Sequence, residues 1–109
     1  MEISKNILDM IEYPKEGILS KELLKNDKVD IGLFCMAAGT EMSDHTSVRP
    51  AFVQVIEGKG AFNLSSKDDS GELEGKEIEM KPGVIIFMDA DAVHGLKAKE
   101  NMAFILGLY

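Results

Sequence analysis

The sequence predicts an all-β domain, a sandwich or barrel of short antiparallel strands. Two observations lead there. Apolar residues fall in short stretches, several alternating with the period of two that a half-buried strand requires. Turn signals separate them at close, regular spacing, as in Glu57-Gly58-Lys59-Gly60, Lys81-Pro82-Gly83 and Asp89-Ala90-Asp91. That punctuation argues against an α/β fold. A chain of 109 residues is one domain with enough length for one core.

The elements follow in order. Residues 4–12 place Ile7, Leu8 and Ile11 after an N-cap candidate at Ser4, which predicts a short helix or an irregular arm. Tyr13-Pro14-Lys15-Glu16-Gly17 is turn chemistry, so residues 1–16 form an N-terminal arm and 17–109 the β domain. Strands are expected from Ile18 to Leu24 and from Val29 to Ala37. The second sets Val29, Ile31, Leu33 and Cys35 on one face against Phe34 and Met36 on the other. Ala51–Ile56 is a strand, the Glu57–Gly60 turn uses glycine for its positive φ values, and Ala61–Ser65 returns. Ser66–Gly75 reads as a polar loop, followed by strands at Lys76–Met80, Val84–Met88, Val93–Lys97 and Met102–Leu108.

Composition excludes several classes of function. The formal charge is −7 and the basic residues are scattered, which opposes binding to a phosphate backbone. No apolar run is long enough to span a bilayer, and the Met1–Asn6 start lacks a secretory pattern. The single cysteine, Cys35, forms no internal disulfide and fits a reducing compartment, so a cytoplasmic protein is expected. Acidic residues gather at Asp68, Asp69, Glu72, Glu74, Glu77 and Glu79. They lack the alternating oxygen ligands of a calcium loop and read as a solvated edge.

The most informative stretch runs from Gly39 to Ala51. Gly39 is followed after five residues by His45, then by Ser47, Pro50 and the strand that closes at Glu57-Gly58. Further on come Met80-Lys81-Pro82-Gly83 and Val93-His94-Gly95-Leu96-Lys97-Ala98. From about Gly17 to Tyr109 the chain resembles a small, single-domain member of the cupin superfamily, of the conserved-barrel (RmlC-like) type. The resemblance implies a jelly-roll barrel of two antiparallel sheets, a pocket at one mouth and a homodimer.

It also implies a metal site built from histidine, one residue, histidine, a glutamate four residues on, and a last histidine in the second motif. Residues i and i+2 of a strand share a face, so such ligands converge on iron, manganese, nickel or zinc. Carried onto this chain, His45 and His94 match the first and last ligands, while Ser47 and Ala51 replace the other two. In the second motif Asp89 replaces the usual proline and Asp91 the usual glycine or asparagine. Glu41, Asp44, Asp89 or Asp91 could bring a carboxylate to the pair, although nothing in their spacing requires it.

Two histidines on pocket positions point to a site, whereas a lone one reads as structural. His45, Ser47, Ala51, Val53 and His94 are therefore the expected ligand-binding residues, with His45 and His94 also the candidate metal ligands. Serine and alanine in place of larger ligands predict a roomy, less polar pocket suited to an organic molecule. Arg49, the chain's one arginine, reads as a solvated loop residue rather than a carboxylate clamp. Cys35 reads as a buried apolar residue and the seven methionines as core filler. Ser47 and His45 lack the third group of a catalytic triad.

Two functions stay open. One is a binding module for a small molecule. The other is a metal-dependent enzyme of the oxygenase or isomerase type using His45 and His94.

Overall fold

The computed structural model describes residues 4–67, 70–71 and 73–109. It contains one short helix, α1 (Ile7–Met10), and nine strands: β1 (Ile18–Lys25), β2 (Asp30–Met36), β3 (Glu41–His45), β4 (Ala51–Glu57), β5 (Gly60–Lys67), β6 (Leu73–Met80), β7 (Ile85–Met88), β8 (Val93–Ala98) and β9 (Met102–Leu108). Two antiparallel sheets form, one ordered β1-β2-β9-β4-β7 and the other β3-β8-β5-β6. The all-β jelly-roll expectation holds.

The main core lies between the sheets, where Met36, Val53, Val55, Phe62, Met80, Ile86, Met88, Leu96, Met102 and Phe104 pack together. Strand alternation decides its membership. On β4, Ala51, Val53 and Val55 are buried, while Phe52, Gln54 and Ile56 take the outer face. On β2, Phe34 and Met36 face inward, and Phe34 stacks on its register partner Phe104 with ring centroids 5.5 Å apart.

A second, smaller core covers the outer face of the five-stranded sheet. Leu33, Cys35 and Ala103 are fully buried there beneath Ile7, Met10, Ile11 and Tyr13 of the arm. Cys35 is the small hydrophobe that its strand position predicts. The arm is tied down by polar contacts: Tyr13 donates to Glu57 at 2.5 Å, and Lys21 Nζ donates to the Met10 carbonyl at 2.8 Å. The Tyr13 hydroxyl is pushed well above its ordinary pKa, first by burial and then by its bond to the Glu57 carboxylate. The helix cap is Asn6, whose side chain accepts from the Leu8 amide at 3.0 Å, in place of the expected Ser4.

Two elements differ from the sequence expectation. β5 and β6 run on to Lys67 and from Leu73, so strand pairing takes much of the expected Ser66–Gly75 loop. Apart from Leu73 the extension is Ser66, Lys67, Glu74 and Gly75, with no apolar alternation to mark it. Asp68, Asp69 and Glu72 of the acidic cluster lie outside the described residues, while Glu77 and Glu79 are exposed on β6. The second difference is β3, which positions the site.

Candidate functional site

β3 lacks an apolar run, and it forms because β8 offers it a partner. The register pairs Glu41 with Lys97, Met42 with Leu96 and His45 with His94. Three residues on β3 thus span two on β8, which is a β-bulge between Met42 and His45. In a regular strand, residues three apart face opposite ways. The bulge absorbs one residue and brings Met42 and His45 onto the same wall.

Gly95 makes room for that bulge. A Cβ there would lie 2.4 Å from Asp44 Oδ1 and 2.9 Å from the Met42 carbonyl oxygen. Only a glycine lets the two backbones approach so closely. Asp44 consequently lies against Gly95.

His45 and His94 meet although 49 positions separate them in sequence: their ring centroids are 4.2 Å apart, in an edge-to-face arrangement. His94 also stacks on the fully buried Phe62, with centroids 6.0 Å apart. His94 is 9 % exposed and His45 is exposed, so the pair runs from the core to the mouth.

Each ring is oriented by its own strand. His45 Nδ1 lies 2.8 Å from the Ser43 carbonyl, and His94 Nδ1 lies 3.1 Å from the Ala92 carbonyl. A carbonyl only accepts, so both Nδ1 atoms carry the proton and donate. In the neutral rings both Nε2 atoms are then lone-pair donors. The His94 pKa is lowered, chiefly by burial and further by His45, against the opposing pull of the Ala92 carbonyl and Asp44.

The two rings line a cavity of about 20 Å³ with Met42, Val53, Phe62, Met88, Leu96, Phe104 and Leu106. That volume suits one atom-sized guest. The roomy pocket expected from the small residues Ser47 and Ala51 is not what forms, because Phe62, Met88 and Phe104 fill the barrel interior.

Val53 lines this cavity, whereas Ser47 and Ala51 do not. Ala51 begins β4 in the core, paired with Met88 and Leu108. Ser47 organises the loop between β3 and β4: its Oγ accepts from the Arg49 amide at 3.2 Å, and its carbonyl accepts from the Asp91 amide at 2.7 Å. Asp91 adopts a positive φ of 67°, which explains why a glycine or asparagine suits that position.

Arg49 is not the solvated loop residue expected. It is half-buried, and its Nη2 donates to the carbonyls of Lys28 and Leu108, joining three segments. Met42 and Met88, read as core filler, stand in the cavity wall with the histidines. Only the bulge, invisible to a period-two reading, reveals Met42.

A larger cavity of about 190 Å³ opens beside Glu22, Asp30, Gly32, Phe34, Leu106 and Leu108, and it contains neither histidine. The smaller one is the candidate site, because both histidines line it, each with its Nδ1 held by a backbone carbonyl. The two share Leu106 as a common wall.

The two antiparallel sheets define a jelly-roll barrel. Comparison with solved structures shows that this fold is that of cupin superfamily proteins. A cupin superfamily protein from Desulfitobacterium hafniense matches with a TM-score of 0.80 at 20% identity, covering 99% of this chain and 91% of that one. An RmlC-like cupin from Desulfovibrio desulfuricans matches with a TM-score of 0.77 at 19% identity, covering 99% and 96%. A conserved protein of unknown function from Streptococcus pyogenes gives a TM-score of 0.81 at 21% identity, covering 99% and 89%. No protein-family model and no curated protein matches the chain.

Proposed function

We propose that this chain is a cupin-fold binding module whose His45–His94 pair captures one small electron-accepting centre at the barrel mouth. That centre is a metal ion or the hydrogen-bond-donating group of a small molecule. The observation that carries the reading is the tethering of both Nδ1 atoms to backbone carbonyls, which leaves the Nε2 atoms of two cavity-lining rings to accept.

The electrostatics support the same choice. An anion would need imidazolium donors, and the lowered pKa of His94 disfavours its charged form. A donor group or a cation suits the neutral ring. For a small molecule, the adjoining cavity over Phe34, Leu106 and Leu108 offers space for an apolar body.

The enzyme reading has less support. Catalytic metal centres usually hold three protein ligands, and among the described residues no group of three His, Cys, Asp or Glu side chains is placed to hold an ion.

The test is thermal melting and isothermal calorimetry with a panel of metal ions and small amines and alcohols, on the parent chain and on His45→Ala and His94→Ala. The parent should be stabilised by at least one member of the panel, and each variant should lose that response. No response in the parent, or an undiminished one in both variants, would overturn the reading.

A further inference from the structure

The donor set does not fit the iron, manganese, nickel or zinc site that the cupin resemblance implies. Those ions favour carboxylate and several imidazoles. Asp44 lies against Gly95, and none of Asp44, Glu41, Asp89 and Asp91 lines the cavity. Cys35 is buried on the opposite face of its sheet, beneath the arm.

What the cavity holds instead is two imidazoles and two thioethers, from His45, His94, Met42 and Met88. Its remaining walls, Val53, Phe62, Leu96, Phe104 and Leu106, carry no donor atom in their side chains. We infer that this cavity is a soft-metal site, in which the Nε2 atoms of His45 and His94 and the thioether sulfurs of Met42 and Met88 bind one copper(I) ion.

Three features favour that ion. Thioether sulfur is a soft ligand that selects copper(I) over harder divalent ions. The set is uncharged and the walls are apolar, so a monovalent ion is desolvated at far less cost than a divalent one. The cavity of about 20 Å³ holds one ion and excludes bulky chelates.

The backbone supplies both sulfurs by identifiable means. The bulge turns Met42 onto the wall that His45 occupies. Met88 is the register partner of Ala51 across β4 and β7 and is only 3 % exposed. A carboxylate is thus missing from β4, and the strand beside it contributes a thioether. The inference rests on the binding reading of the same histidine pair.

The experiment titrates the full-length protein anaerobically with copper(I), in competition with a chromophoric copper(I) chelator. Silver(I) serves as a redox-inert second probe and zinc(II) as the contrast. The variants are Met42→Leu, Met88→Leu, their combination, and His45→Ala with His94→Ala. Leucine nearly conserves methionine's volume, so the fold should be kept, and melting curves check it.

One equivalent of copper(I) should bind, with sulfur scattering in its X-ray absorption spectrum. The double methionine variant should lose affinity by roughly tenfold or more for copper(I) and silver(I), with any zinc(II) response unchanged. Histidine-dependent binding that ignores both methionines would overturn the soft site and leave the binding reading standing. Absence of any histidine-dependent binding would overturn both.

Discussion

His94 carries two consequences at the scale of single residues. It is buried against Phe62, and burial lowers its pKa from the ordinary histidine value of 6.5. The unfolded chain therefore takes up a proton at a pH where the folded chain does not. Stability from this group is complete above the unfolded pKa. It falls as pH drops through the window below 6.5 and levels off beneath the lowered folded value. Melting temperatures measured from pH 8 to 5 should decline in the parent, and the decline should flatten in His94→Gln. Arg49 makes a purely structural prediction. Its guanidinium reaches carbonyls on both the β1–β2 turn and the end of β9. Arg49→Ala should cost about 1–3 kcal/mol in urea denaturation, because the carbonyls of Lys28 and Leu108 lose a charged donor. The residue identities of the site, His45 and His94, were legible in sequence. The role of Arg49 was not, since its partners are backbone atoms 21 and 59 positions away.

At the scale of elements, the site depends on how β3 sits on β8. A bulge and a glycine together allow it, and either alone would fail. Gly95→Ala places a methyl group 2.9 Å from the Met42 carbonyl oxygen, which is backbone and has to move. The variant should lose about 1–3 kcal/mol of stability, in the range of overpacking changes. Its binding of metal ions or small donors should fall further than the stability loss explains, because displacing β3 separates His45 from His94. Chemical denaturation and calorimetry on the same sample distinguish the two effects. A strand such as β4 was legible because apolar alternation marks its buried face. β3 escaped notice for the opposite reason: in Glu41-Met42-Ser43-Asp44-His45 only the methionine is apolar, and cross-strand pairing supplies the order. The same holds for the ends of β5 and β6, which pair from Ser65 with Gly75 out to Lys67 with Leu73 although no apolar alternation marks them in the sequence.

For the whole molecule, the outer face of the five-stranded sheet is unevenly covered. The arm seals Leu33, Cys35 and Ala103 on that face. Beyond its reach, Phe52 pairs with Phe87 across β4 and β7, and Tyr109 lies near Phe52 with ring centroids 6.5 Å apart. Phe87 is 63 % exposed and Ile85 46 %. β7 is also an edge strand, open to pairing on one side. We expect a two-fold dimer through this edge. Light scattering at micromolar concentration should give twice the chain mass, and Phe87→Lys should give a monomer with an unchanged circular dichroism spectrum. A monomeric parent would refute the dimer without touching the site.

By itself the sequence determined the all-β class, the order of most strands and the two histidines worth attention. Those properties follow from local turn chemistry, period-two burial and residue identity, all of which are written along the chain. Only the tertiary structure decided what the histidines face. The bulge sets Met42 and His45 on one cavity wall, Met88 lines the same cavity while Ala51 opposite it in the register does not, and core packing shrinks the cavity to about 20 Å³. The physical reason is that a cavity's size and donor set are sums over several strands. Their register is fixed by pairing across the sheets, and no single segment records it.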